Sequence, residues 1–491
     1  MRRPRVADLR APLGRVPRAA WVCAFIACLN AVCWSVITPP FQVPDEPAHF
    51  AYVQLLAENH ALPNPADAEE SEEEELALND LHQEQVQWHP EVHVIASKAE
   101  QLHLEHDLAG HASRSGPGGA GVATAEPPLY YALETIPYLI GSGANLLVRL
   151  ELMRLLSALM AGITAFFVFM FIREAVPGVR WAWTVGGLCV ALAPLLGFMS
   201  GAVSSEAGLY AISAATFYTL ARAFRRGFAP RIAVALGAVI AIGLLTKVNY
   251  VGLLPGLAVG LIMLTLQAAR SSRARALRSL AIAAAIAVSP IAVYAISNLV
   301  RHHPLLGIVT NAVHMTTGRG PLLPEISYIW QSYLPRLPGM RHYFPGISTP
   351  IQMWFDRSVG FYGWNDTEFP VWVEHLALIP ATVMALLCAR ALVAARGTLS
   401  SRLPELGVYA VMVLGILALI GGDSYLVPRE AGTYSEPRYL MPLLALGGAA
   451  FALSARGAGR RWGPVVGALM VVLFLSHDVF SQLQVIARYY G

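Results

Sequence analysis

Asp45, Glu46 and His49 stand together in the run TPPFQVPDEPAHFAYVQLLAENHALP (Thr38–Pro63), between prolines and directly after the first long apolar segment. Two adjacent carboxylates can supply a general base or hold a divalent cation such as Mg or Mn. At the edge of a bilayer they would meet the head group of a lipid-borne substrate. Asp is a strong helix N-cap and proline is tolerated in the first turn, so a helix is expected from Asp45 or Glu46, with His49 one turn on and facing the same way as Asp45. Phe50, Val53, Leu56 and Ala57 recur at helical spacing, which suits a helix lying in the membrane interface. Capping alone would account for Asp45 but for neither Glu46 nor His49.

Other ionisable residues sit at comparable places. Glu126, in TAEPPLYYALETIPY, precedes a proline pair and an aromatic cluster, and Glu206, in MSGAVSSEAGLY, lies at a turn between two apolar runs. An ionisable side chain near hydrocarbon is costly and is therefore a functional candidate, with snorkelling to water as the competing explanation. Arg154, Lys247 in LLTKVNY and Arg438 in SEPRYLMP, together with Arg301 and Arg341, could hold a phosphate or pyrophosphate at the membrane surface as a point charge or a bidentate fork. His82, His89, His93, His103, His106 and His111 crowd one polar stretch, with His89 and His93 four apart. That is a weak metal pattern, because neither HExxH nor a cysteine pair accompanies it. Walker, GxGxxG and GxSxG signatures are missing from the sequence, which leaves cytosolic nucleotide chemistry without a visible site.

The elements that must position these residues follow from hydropathy. With 55% hydrophobic and 14% charged residues and a mean hydropathy of +0.51, the chain is far more apolar than a soluble globular protein. Apolar windows long enough to cross hydrocarbon fall at 20–38, 152–173, 182–201, 206–223, 231–246, 249–267, 278–300, 372–394, 405–422, 438–455 and 463–482, about eleven spans in all. Alternating them gathers the arginine clusters on one side, which the positive-inside rule makes cytoplasmic together with the N-terminus. The run 129–148 would invert every later cluster if it crossed, so it is expected to be interfacial or re-entrant. The five cysteines all fall in apolar runs and act as small hydrophobes. The net charge of +3 comes from dispersed arginines and suggests no nucleic-acid partner.

The expected organisation is a basic tail at 1–19, read as leading into an uncleaved signal anchor, then an N-terminal transmembrane module at 20–300. Its first outer loop, 39–151, carries an acidic insert at 66–112 that reads as a solvated helix and linker. A second large loop at 301–371 and a C-terminal transmembrane module at 372–491 follow. Loops this long are generally functional or disordered.

The motifs PPFQVPDEPAHFAYVQLLAENHALP, EPPLYYAL, RLLSALMAG, SSEAG, LLTKVNYVGLLP, FYGWND and EPRYLMPLL resemble, in order and spacing, the bacterial membrane proteins grouped as domain of unknown function 2142. That family in turn resembles the GT-C superfamily of polyprenyl-phosphate-dependent glycosyltransferases. The resemblance implies an all-α polytopic bundle of about eleven helices in the bacterial inner membrane. Its active site would face outward, and it would move a sugar from a polyprenyl-phosphate donor to a glycan, lipid or protein acceptor with inversion. By that analogy Asp45 is the base, aided by Glu46 and His49, while Arg154, Lys247 and Arg438 steady the departing phosphate. Glu126, Glu206 and Asp366 of FYGWND are secondary acidic or substrate contacts, although Ser205-Glu206 stands where relatives often have Asn-Asp. A divalent cation, if one is used, would sit on Asp45 and Glu46. The rival readings are a flippase for lipid-linked glycans, which calls for broken helices and buried mid-span charge, a polysaccharide polymerase or ligase, and a scaffold.

Overall fold

A computed structural model describes residues 16–64, 70–116, 120–301, 322–344, 350, 352–426 and 436–491. Most of the basic tail, part of the 301–371 loop and residues 427–435 lie outside the described residues. In chain order, α1 (Arg18–Ile37) leads into α2 (Glu46–Asn59), and the first loop folds α3 (Glu72–Asp80), α4 (Lys98–Ala109) and α5 (Leu129–Ile140). There follow α6 (Leu146–Ala175), α7 (Arg180–Ala191), α8 (Pro194–Ser200), α9 (Ser205–Arg226) and α10 (Pro230–Thr246). A 3-10 segment, Val248–Leu253, opens into α11 (Leu254–Ala269), and α12 is Arg273–Val300. Beyond α13 (Leu322–Tyr333), a short antiparallel ribbon of β1 (Phe361–Tyr362) and β2 (Thr367–Glu368) precedes α14 (Val371–Ala394) and α15 (Leu403–Leu426). A second 3-10 segment, Pro437–Leu443, enters α16 (Leu444–Gly457), and α17 (Gly459–Tyr490) ends the chain.

Each expected apolar window is helical, although 182–201 is split between α7 and α8, and 249–267 and 438–455 each begin in a 3-10 segment. Among the described residues, eight helices are long and apolar enough to cross a membrane, and α7 with α8, bent by 53° at the break before Pro194, makes a ninth. α9 is more polar, and its Ser and Thr side chains turn inward where it is buried along most of its length against α6 and α10. α7 approaches α16 so closely that a Cβ on Gly186 would lie 2.4 Å from the Gly448 carbonyl oxygen. Inside the bundle Asp478 of α17 accepts from Trp34 Nε1 at 3.0 Å and Asn30 Nδ2 at 3.3 Å on α1. This side chain was not singled out by the sequence.

The two ends of the bundle differ in chemistry. At one, Arg226 meets Glu174 at 2.6 Å and Arg402 donates to the Ala175 carbonyl at 2.6 Å, so arginines from two helix ends gather at the end of α6. At the other end stand Asp45, Glu126, Glu206, Lys247 and Arg438.

The insert is solvated over α4, where Leu104 alone is buried, but its first part is packed and not the solvated segment expected. Gln54 of α2 donates to Glu73 at 3.0 Å and accepts from Ser71 at 2.6 Å, and Glu73 is also clamped by the buried Arg149 of α6. Arg488 at the end of α17 reaches the carbonyls of Val86, His89 and Val92. The insert therefore covers α2, whose Phe50, Val53 and Ala57 are buried, and α2 does not lie open in the interface. α5 instead exposes Leu133, Ile136, Leu139 and Ile140 on one side. Twelve residues rise about 18 Å, short of the roughly 30 Å of hydrocarbon, as the non-crossing reading of 129–148 asks.

Glu74 in the first turn of α3 is wholly buried and neither of its carboxyl oxygens has a hydrogen-bond partner. Burial, reinforced by Glu70 and Glu73, holds its carboxyl well above the usual carboxylate range, while Arg149 and Arg114 are engaged by Glu73. The docked insert binds this proton more tightly than the undocked chain does, so docking weakens as pH rises above the ordinary carboxylate value, by up to about 1.4 kcal/mol per pH unit. Glu74→Gln is expected to flatten that slope, measured as protease cleavage within the insert between pH 5 and 8. A variant as pH-sensitive as wild type would assign the slope to another group.

Candidate active site

The turn between α1 and α2 is held by a single buried ion pair. Arg154 of α6 forks onto Glu46, with Nε to Oε1 at 2.8 Å and Nη2 to Oε2 at 2.6 Å. Its remaining N–H groups go to the Ser35, Thr38 and Pro39 carbonyls, each at 3.0 Å, and to Glu151. These carbonyls belong to the end of α1 and the turn beyond it, so the arginine acts as that helix's C-cap. Glu46 in turn accepts the Phe41 amide at 2.9 Å and the Val203 amide at 3.0 Å. Arg154 has no N–H left for a phosphate, and Glu46 has no oxygen left for a proton or a metal. Both expected roles are corrected for the same reason: their hydrogen-bonding capacity is spent inside the protein.

This staple fixes Asp45, which is not the side-chain cap expected. Its backbone is left-handed, φ 68°, and its carboxylate makes no capping bond. Phe41 at φ 63° and Asn365 at φ 62° share that conformation close by. Asp and Asn tolerate it better than most residues, and such strain collects at functional sites. The Asp45 carboxylate points instead at Arg438, Oδ2 to Nη2 at 3.1 Å, and at 30% exposed it is more open to solvent than Glu126, Glu206 or Glu436. Glu436 pairs with Arg438 Nε at 2.5 Å and accepts from Asn365 at 2.9 Å. Burial raises the Glu436 carboxyl, against the pull of Arg438. Arg438 Nη1 is buried and has no hydrogen-bond partner. Pro44, Arg357, Phe361, Asn365, Glu436 and Arg438 line a narrow pocket here.

A second cluster lies behind the first. Lys247, at the end of α10, fills its three N–H groups with Glu126 at 2.8 Å, Ser205 at 2.9 Å and Glu206 at 3.2 Å. Glu126 also accepts the Val248 amide at 3.0 Å. Glu206 is buried at the start of α9 and bonded by Ser204. His49 is buried too, with Nδ1 2.8 Å from the Tyr131 hydroxyl and Nε2 3.9 Å from Glu206. Burial and the neighbouring Lys247 lower its pKa and favour the neutral ring. His49 therefore faces this interior network and not a substrate, and Lys247 is no free phosphate ligand. Asp366 is paired with Arg488 at 3.1 Å and bonded by Thr367, tying the ribbon to α17 and the insert.

Of Arg154, Lys247 and Arg438, the last alone keeps an unfilled donor. Reading the sequence missed Glu436 and Asn365, although each is one or two positions from a residue it named, in EPRY and FYGWND. An acid two residues before an arginine, and an Asn following Gly-Trp in a tight ribbon, were the available signals. A divalent ion on Asp45 and Glu46 does not fit this donor set, since Glu46 is saturated and Asp45 faces a guanidinium. Among the described residues, the group of three ligand-type side chains that does converge is Asp80, His103 and Asp107.

Comparison with known proteins gives two solved structures with a similar fold. Both are of an oligosaccharyltransferase from Archaeoglobus fulgidus, one tethered to an acceptor peptide containing the NVT sequon and one in the apo form. They match at 12% and 13% identity over 96% of this chain, with TM-scores of 0.46 and 0.43, and the chain spans 55% and 56% of their length. No curated protein matches the sequence. Residues 28–446 match the family described as "Predicted membrane protein (DUF2142)", and the chain belongs to that family.

Proposed function

We propose that this protein is a membrane glycosyltransferase that moves a sugar from a polyprenyl-phosphate donor to an envelope glycan, lipid or protein acceptor. The observation that carries the reading is the Asp45–Arg438 pair: a partly exposed carboxylate in strained backbone, 3.1 Å from a buried guanidinium whose Nη1 has no hydrogen-bond partner. Asp45 takes the proton of the acceptor hydroxyl, whose oxygen attacks the anomeric carbon as the carbon–oxygen bond to phosphate breaks. Polyprenyl phosphate leaves with that electron pair, and Arg438 Nη1 supplies the charge-assisted donor that its new negative charge requires. One displacement inverts the anomeric centre. Glu46, Arg154, Glu436 and Asn365 position these two groups, and the Lys247 network braces α9 and α10 behind them. The arginine alternation supports catalysis on the outer face, and the bacterial inner membrane is part of the same proposal.

The test is transfer in membranes from a panel of radiolabelled polyprenyl-phosphate sugars. Activity from at least one donor supports the reading. A flippase is the second reading, favoured by the bent α7–α8 pair and the buried Asp478. It is expected to move labelled lipid between leaflets without transfer, and an outcome of that kind rejects the transferase.

A further inference from the structure

The insert holds a second constellation, remote in sequence from the turn at Asp45 and independent of any reading of its chemistry. Asp80 is the last residue of α3, and His103 and Asp107 lie one turn apart on α4. His103 Nδ1 is 3.0 Å from Asp80 Oδ1 and 3.7 Å from Asp107 Oδ2, and one ligand atom from each residue lies within 4.8 Å of the others. One imidazole nitrogen carries at most one proton and cannot donate fully to two carboxylates. The second oxygen of Asp80 is buried and has no hydrogen-bond partner. Asp80 also sits at a helix C-terminus, where the backbone dipole opposes negative charge. Three ligand-type side chains thus converge, with one buried carboxylate oxygen left unpartnered.

A tetrahedral ion with ligands about 2.0–2.1 Å away separates those ligands by roughly 3.3 Å. The two measured separations fall on either side of that value. From these observations we propose that Asp80, His103 and Asp107 form a binding site for a first-row divalent cation, with Zn²⁺ as its best match. One nitrogen and two oxygen ligands suit this borderline ion, and the exposed side of His103 leaves its fourth position to water. The ion clips α3 to α4 and so stiffens the cover over α2, the helix that begins beside Asp45. The pair His89 and His93 is not part of it: His89 Nδ1 lies 2.9 Å from the Gln87 carbonyl and His93 Nδ1 3.3 Å from that of Tyr489.

The experiment uses the full chain in detergent, purified through a tag without histidine, stripped with chelator and dialysed against Zn²⁺. Wild type is expected to retain about one Zn²⁺ per chain that His103→Ala lacks, with Asp107→Asn binding at least about 10-fold more weakly. Zinc is also expected to slow protease cleavage within residues 87–97 in wild type and in neither variant. Asp107→Asn on the outer helix guards against misfolding of the alanine variant, and the elution of each variant as a single species is checked first. Equal zinc retention by wild type and both variants would show adventitious binding to other histidines and overturn the site, as would no retention by folded wild type.

Discussion

Asp45→Asn is expected to lower sugar transfer by about 10²–10⁴-fold while leaving the protein folded, since that is the range a positioned general base contributes. The substitution is nearly isosteric, the side chain is partly exposed, and Asn adopts the left-handed backbone at φ 68° about as readily as Asp does. Arg438 keeps Glu436 as a counter-ion, so no buried charge is stranded. The amide cannot accept a proton from the acceptor at neutral pH, and the loss should appear in kcat with thermal unfolding in detergent unchanged. Asp45→Ala is a poorer probe because it also removes the side chain that makes this backbone tolerable. Arg438→Lys separates the two groups: it keeps the charge but not the planar fork, and is expected to weaken donor use while leaving Asp45 basic. Transfer that survives Asp45→Asn unchanged removes Asp45 as the base, whatever the donor proves to be.

How much of this was legible in the sequence depends on the range of each interaction. Hydropathy windows and dispersed arginines carried the helix order and the separation of the two ends, because crossing hydrocarbon demands length and composition that any window reveals. Asp45 stood out as well, as a carboxylate between prolines at a span's end, and its carboxylate lies partly exposed against Arg438. The partner of Glu46 was not, as Arg154 lies 108 residues away in sequence and nothing local distinguishes it from a snorkelling arginine. The same holds for Lys247, whose three partners come from two other segments. The burial of α2 was hidden for another reason. Its cover, the insert, is rich in acids and reads as solvated until Arg149, Arg114 and Arg488 from distant segments are placed against it.

Arg154→Met is expected to be the most destabilising single change at this end of the bundle, by about 3–5 kcal/mol, the usual cost of leaving one partner of a buried ion pair alone. Both side chains are wholly buried, so water cannot replace the lost guanidinium at Glu46. Three carbonyls at the end of α1 lose their donor at the same time, and each buried unsatisfied group costs about 1–3 kcal/mol. Adding Glu46→Gln removes the stranded charge but not those orphaned carbonyls, so the double variant should recover only part of the loss. Lysine at position 154 supplies charge without the fork that spans Glu46 and three carbonyls, and should fall between wild type and methionine. Thermal unfolding followed by fluorescence-detected gel filtration in detergent orders these variants. If Arg154→Met unfolds like wild type yet abolishes transfer, the staple is not structural, and Arg154 returns to the phosphate-binding role that its saturated geometry argues against. If it unfolds early, as expected, any loss of transfer in that variant reports the collapse of the turn that holds Asp45, and the chemistry must be read from Asp45 and Arg438 alone.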